Sequence, residues 1–464
     1  MRGHDMRDRI RYLSLCGLLG YGYALVSLDN ALKEPLDFIG VDGGSTDPGP
    51  YYLGSGTGFV KRLQVKRDLS RVLKHALDRK TVLIIGSAGG SGARPHVDAT
   101  LDILRDIARE QQLRFRAAVI YTDLDPGMLV RAARDGRLQP CGGAPPVDPA
   151  CLERLCNPVA QVGTGPLIEA LQTGADVIVS GRCCDTAVFA AYPIRHGFPE
   201  GLALHAAKIA ECGALCARPV GANDSLVVSL GHGDFVVEPP NPLRACTPDS
   251  VAAHSLYEQP DPECFYEPEG MIDMRDCTFE ACGPRAVRVG GTRLAPASRA
   301  TLKLEGALPW GYRSITLAGV RDPVAVGALD AIEAGVREAV AANLDGVLDA
   351  GAYTLRFLRY GVDGVTGARE PTPAVPPREV GLVIDAVAPT QELADTVVSL
   401  ARSSALHQAF PGRKATAGNL AFPFSPSDFR GGAVFEFALY HLLDTEGLPL
   451  DFTPRVVDIP GGPA

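Results

Sequence analysis

The stretch Ile84-Ile85-Gly86-Ser87-Ala88-Gly89-Gly90-Ser91-Gly92-Ala93-Arg94-Pro95-His96-Val97-Asp98 reads as the end of a strand, a glycine-rich turn and the start of a helix. An apolar run from Thr81 to Ile85 leads in, and an amphipathic segment from about Pro95 to Glu110 leads out. Four glycines in seven positions allow positive φ and close backbone approach. Pro95 suits a first helical turn, where its missing N–H costs nothing. The free N–H groups of that turn favour a carboxylate, phosphate or enolate oxygen. The spacing Gly86-x-x-Gly89-Gly90-x-Gly92 is neither a dinucleotide fingerprint nor a Walker A loop, so it names no cofactor.

Outward from this stretch, apolar runs alternate with helical patterns. Strands are expected at Arg11 to Gly17, Asp37 to Asp42, Thr81 to Ile85, Arg116 to Tyr121 and Asp176 to Ser180. Helices are expected at Tyr23 to Lys33, Lys61 to Arg79, after Pro95 and near Gly165 to Thr173. Such βα alternation predicts an α/β fold: a Rossmann-like, doubly wound, mostly parallel sheet occupying residues 1–222. From about Asn223 short strand-like runs are separated by Gly and Pro, and residues 223–464 are expected to form a mixed α+β domain. Its strands include Thr301 to Leu304 and Ser314 to Leu317, its helices Val324 to Asn343 and Thr390 to Ser404, and a Pro-rich loop lies near 370–377.

In an open parallel sheet, ligands gather at the carboxyl ends of the strands. The loops expected there carry Asp42, Ser45, Thr46 and Asp47; then Ser87, Gly89, Gly90, Arg94 and His96; then Asp123; then Arg182 and Asp185. Asp42, Asp47, His96, Asp123 and Asp185 are the candidate acids and bases. Ser45, Thr46, Ser87, Gly89, Gly90, Arg94 and Arg182 are the candidate substrate contacts, the arginines as bidentate partners of a carboxylate. Each has a plain structural alternative. His96 is equally a polar helix-start residue, Arg182 a tie to a neighbouring Asp, Asp47 a turn former before Pro48, and Lys303 with Glu305 a surface pair. No metal site is assigned and no cofactor is firmly implied; a divalent ion on Asp42, Asp47 and Asp123 is the one alternative kept open.

The 464 residues carry a net charge of −9 with no basic cluster, which excludes a nucleic-acid surface. No apolar run reaches the length of a membrane span, so a cytoplasmic protein without membrane contact is expected. Twelve scattered cysteines include no C-x-x-C pair and read as reduced thiols. A serine nucleophile elbow, a His-Glu-x-x-His motif and a P-loop are all missing, which leaves acid–base chemistry on a small carboxylate or thioester.

Five blocks together resemble the acyclic terpene utilisation (AtuA) family. They are Asp37-Phe-Ile-Gly-Val-Asp-Gly-Gly-Ser-Thr-Asp-Pro-Gly-Pro-Tyr-Tyr-Leu-Gly, Ile85-Gly-Ser-Ala-Gly-Gly, Gly174-Ala-Asp-Val-Ile-Val-Ser-Gly-Arg, Lys303-Leu-Glu-Gly and Gly418-Asn-Leu-Ala-Phe-Pro-Phe-Ser-Pro-Ser-Asp. The resemblance implies catabolism of branched terpenes through acyl-CoA intermediates, and a small ferredoxin-like domain as a separate subunit. The resulting expectation is a hydratase or dehydratase acting by enolate chemistry on a small branched acid or its acyl-CoA thioester. An isomerase, a carbon–carbon lyase and a non-catalytic acyl-binding scaffold are the alternatives, and a homo-oligomer is expected.

Overall fold

The structure, a computed structural model, describes residues 8–221, 223–349, 351–371, 377–414 and 416–462. By its internal contacts the chain forms two compact units, Met1–Leu308 with Phe437–Ala464, and Pro309–Glu436.

The first unit is built on a ten-stranded mixed sheet. Its centre is five parallel strands in the order Ile10–Ser14, Phe38–Asp42, Val82–Gly86, Val177–Ser180, Phe115–Ile120. Successive side chains on these strands point to opposite faces. Tyr12, Phe38, Ile84, Ile178 and Ala118 enter one core, and Leu13, Ile39, Leu83, Ile85, Val177 and Val119 enter another. Burial on both faces is why runs such as Val82–Gly86 read as unbroken apolar stretches rather than alternating ones. Antiparallel strands complete the sheet. Leu226–Leu230, Asp234–Glu238, Val287–Gly290 and Thr278–Ala281 extend it beyond Ile10–Ser14, and Arg455–Ile459 covers the other edge against Phe115–Ile120.

The strand–turn–helix around Gly86 forms as expected, with helix Arg94–Gln111 carrying Pro95 in its first turn. Two expectations need correcting. The runs Thr301 to Leu304 and Ser314 to Leu317 belong to one 20-residue strand, Thr301–Val320, which absorbs Gly306, Pro309 and Gly311. The helix expected over Val324 to Asn343 is two, Pro323–Gly327 and Leu329–Leu344, with Ala328 between them off helical geometry. Of the Pro-rich loop near 370–377, residues 372–376 lie outside the described residues.

In the second unit, residues 312–320 pair antiparallel with Val380–Ala388, which pairs with Thr354–Tyr360. Helices Leu329–Leu344 and Gln391–His407 bury Ile332, Val336, Val340, Val397 and Ala401 against Leu382 and Ile384 of that sheet. Among the described residues no helix is long and apolar enough to cross a membrane.

Candidate functional site

The loops at the carboxyl edge of the parallel strands meet, and they meet by bonding one another. Gly43 N–H donates to Gly86 O at 2.8 Å, Ala88 N–H to Ser180 O at 3.0 Å and Gly181 N–H to Ile120 O at 2.8 Å. Within the glycine-rich turn, Gly90 N–H donates to Ser87 O and Gly92 N–H to Ala88 O. Gly92 has φ +65°, and a Cβ there would lie 2.1 Å from Arg182 N, so the glycine serves loop-against-loop packing. The N-terminus of helix Arg94–Gln111 already holds an anion: Arg94 N–H donates to Asp123 Oδ1 at 2.9 Å.

The remaining residues of this edge are tied in similar ways. Ser87 is buried, donates to Cys183 O at 3.1 Å and accepts from Arg182 Nη1 at 3.1 Å. His96 is buried, and its Nε2 faces Tyr52 O at 3.1 Å and Thr57 O at 3.2 Å, which holds the segment after Pro50. Burial lowers the pKa of this imidazole, with those carbonyls opposing. Together with Gly43, Gly89, Val60, Val65 and Ile103 it lines a small cavity of about 220 Å³. Ser45 Oγ donates to the exposed Asp47 carboxylate at 2.7 Å, and Thr46 is buried. Arg94 is exposed, with its guanidinium 4.1 Å from the centre of the Tyr121 ring. Asp42 accepts from Gly44 N–H at 2.7 Å. Asp42, Asp47 and Asp123 therefore each hold local partners and do not form a ligand set; among the described residues no group of three His, Cys, Asp or Glu side chains is placed to hold a metal ion.

Arg182 links this edge to a second region. It is fully enclosed, with Nε donating to Glu305 Oε2 at 3.0 Å and Nη1 within 3.4 Å of Asp185 Oδ1. Lys303 Nζ lies 3.0 Å from Glu305 Oε1 and 4.6 Å from the centre of the Tyr440 ring. Residues 303–305 occupy this position because they pair antiparallel with Val159 to Gln161 of strand Cys156–Gln161. The Lys303–Glu305 pair is thus not a surface pair: the strand carrying it is covered, and Glu305 is completely buried. Burial alone would raise the Glu305 pKa, but Arg182 and Lys303 outweigh it and hold the carboxylate at about 2.

Beyond Asp185 opens a cavity of about 820 Å³. Asp185 and Thr186 enter it from the loop after Val177–Ser180. Lys208 and Glu211 come from the end of helix Glu200–Ala210, a helix apolar on nearly all sides and buried along its length. Lys208 in its last turn suits the negative end of the helix, and Nζ donates to Glu211 Oε1 at 2.6 Å. Tyr266 and Glu267 arrive on strand Cys264–Glu267, which returns as Gly270–Asp273 and pairs with Arg293–Pro296. Gly270 lies close against that third strand: a Cβ on it, at φ +149°, would lie 2.2 Å from Ala295 O. Glu269 closes the hairpin and accepts from Thr164 N–H at 2.6 Å, capping helix Thr164–Gln172. Pro268, Met271, Ala295, Pro296 and Leu442 make the walls apolar, and Arg299 and Lys303 add cations.

Burial dominates the electrostatics of this cavity. It pushes Glu211 up to about 8, with Lys208 opposing and Asp185 adding to the rise. It pushes Glu267 to about 8 as well, with Thr186 opposing and Glu269 adding. The Asp185 carboxyl is also raised by burial, though Arg182 and Lys208 both pull it back. Cys184, on the same wall, is held firmly as a thiol by burial. The arrangement offers a proton donor and a cation-backed carboxylate to one half-open, largely apolar space.

Of the residues singled out from sequence, Asp185 lines this cavity, Arg182 stands directly behind it, and burial raises Asp42 alongside them, with Asp185 adding and Arg182 opposing. Ser45, Thr46, Asp47, Ser87, Gly89, Gly90, Arg94, His96 and Asp123 are not among its lining residues. Sequence reasoning missed Lys208, Glu211 and Glu267. A lysine and a glutamate three apart at the end of an otherwise apolar helix were the one available signal.

One family model matches the chain, that of the acyclic terpene utilisation family protein AtuA, over residues 54–424. No curated protein and no solved structure matches it.

Proposed function

Because the chain belongs to the AtuA family, we propose that it serves acyclic terpene utilisation as a hydro-lyase, adding or removing water on a small branched substrate. One observation carries this reading: Glu267, Asp185 and Glu211 face the same cavity while only two of them have a cation at hand. Glu267 is then protonated at neutral pH and acts as the acid. Asp185, with Arg182 3.4 Å away, is the base that takes a proton from water. The apolar wall of Met271, Pro268, Pro296 and Leu442 accepts a branched hydrocarbon, and Arg299 and Lys303 suit a carboxylate or the phosphates of an acyl thioester. The parallel layer, buried on both faces, supports reading the first unit as Rossmann-like and doubly wound.

The test is water addition to branched unsaturated acids and their CoA thioesters by wild type, Glu267→Gln and Arg94→Ala. Loss of one general acid is expected to lower kcat about 10²–10⁴-fold in Glu267→Gln. Arg94, stacked on Tyr121 away from the cavity lining, is expected to be replaceable. The opposite pattern would move the chemistry to the glycine-rich turn. Substrate binding without turnover would leave an acyl-binding scaffold.

A further inference from the structure

Away from the Glu267 cavity lies an open cleft of about 490 Å³, with no lining residue in common. Arg67 and Arg71 face it from helix Arg62–Arg79, one turn apart and so on one side of the helix. Tyr21 enters from the loop that follows strand Ile10–Ser14, and Asp224 from the segment before Leu226–Leu230. Asn241 and Arg244 enter from the turn after Asp234–Glu238. The nearby carboxylates are engaged in holding this frame. Asp68, completely buried, accepts from Gly20 N–H at 2.9 Å, Gly22 N–H at 3.0 Å and Arg67 Nε at 2.7 Å. Arg67 Nη2 donates to Gly20 O at 3.0 Å, so this guanidinium is fixed while its Nη1 has no partner among the described residues. Asp224, also buried, accepts from Ser225 N–H at 2.9 Å and from Asn241 Nδ2 at 2.7 Å. Arg285 Nη1 donates to Pro239 O at 3.0 Å and Asn241 O at 2.7 Å, which pins the turn that carries Arg244. Arg244 is nine-tenths buried, and a Cβ on Gly221 would lie 2.5 Å from its Nη2. Arg71 is exposed and has no hydrogen-bond or ion-pair partner among the described residues.

Three guanidiniums thus line the cleft against one carboxylate, and they still outnumber the carboxylates when Asp68 is counted. We propose that this cleft binds a phosphorylated small molecule, with its phosphoryl group at Arg67, Arg71 and Arg244. A phosphate monoester brings three acceptor oxygens and a charge of about −1.5 to −2 at neutral pH. That suits several planar guanidinium forks arriving from separate segments, whereas a carboxylate offers two oxygens in one plane. The cleft is larger than a phosphate group, so the ligand also carries an organic body. The exposed ring of Tyr21 gives that body a flat apolar face, and the Asn241 amide gives it a hydrogen-bond partner. The site stands independently of the hydro-lyase reading, since none of its residues takes part in that chemistry.

Calorimetric titration of the whole chain tests this, with ribose 5-phosphate and inorganic pyrophosphate as probes and with ribose and succinate as controls. Both phosphates are expected to bind, ribose not at all, and succinate at least about tenfold more weakly than either phosphate. Arg71→Glu is expected to weaken phosphate binding about tenfold or more while leaving the melting temperature of the free protein unchanged, because Arg71 has no partner to lose. Arg71→Gln, which removes the charge without reversing it, is expected to act in the same direction and less strongly. Ribose or succinate binding as tightly as the phosphates would overturn the proposal, as would the absence of heat with both phosphates. Binding lost in Arg299→Glu but kept in Arg71→Glu would place the phosphate in the Glu267 cavity and overturn it as well.

Discussion

Glu305→Gln isolates what the buried charge pair does for stability. Glutamine keeps the size of the side chain but removes the nearer of the two carboxylates paired with the enclosed Arg182, leaving only Asp185 at 3.4 Å. The ordinary glutamate pKa of 4.5 falls to about 2 in the folded protein. At about 1.4 kcal/mol for each tenfold, that difference is worth roughly 3 kcal/mol. Removing one partner of a buried pair costs about 3–5 kcal/mol in general, which agrees. Because the folded-state pKa is depressed, the contribution is complete above pH 4.5 and is lost as pH falls through about 2. Urea unfolding of the whole chain, followed by far-UV circular dichroism, should therefore place the variant about 3 kcal/mol below wild type at pH 7. The gap should narrow steadily below pH 4.5. Adding Arg182→Met should restore part of the loss, since the under-compensated guanidinium goes with it. A gap of the same size at pH 7 and pH 3, or no gap at all, would refute the reasoning.

Two further outcomes follow from the same geometry. Glu267 is raised to about 8, so its ionisation opposes folding increasingly as pH rises from 4.5 through 8. Glu267→Gln should match wild type in melting temperature at pH 5 and exceed it at pH 9; equal curves at both would mean the carboxyl is solvated. Gly92→Ala should cost at least about 3 kcal/mol, combining a left-handed backbone with a collision against Arg182. Gly174→Ala, at φ +66° with open space around it, should cost only about 1 kcal/mol of backbone strain. Equal losses in the two denaturation curves would remove the close packing as a cause.

How much of this was legible in the sequence depends on the range over which each feature is encoded. The parallel strands are legible because burial on both faces leaves runs such as Val82–Gly86 with no polar interruption. The meeting of their loops follows from parallel topology alone. What those loops do with their donors does not follow: nothing near Arg94 says that Asp123, 29 residues on, will occupy its N–H. Strand Thr301–Val320 hides because Gly306, Pro309 and Gly311 imitate turn residues. The cavity is the least legible feature. Glu211 and Glu267 lie on a helix end and a short hairpin, 56 positions apart, and neither belongs to a local motif. Their chemistry comes from desolvation by walls drawn from other parts of the chain, and single-residue spacing carries no record of that.

The strand Arg455–Ile459 also sets a schedule. It is the last strand among the described residues, yet it seals Phe115–Ile120, whose neighbour on the other side is complete once Val177–Ser180 has been made. On a ribosome adding about 5–20 residues per second, some 270 residues separate those two events. For that interval the sheet presents an apolar strand with an open row of amide and carbonyl groups, the kind of edge on which chains stick to one another. Recombinant yield of this protein should respond to chaperones acting on the growing chain, and a ribosome stalled before residue 455 should hold a first unit that lacks its last strand.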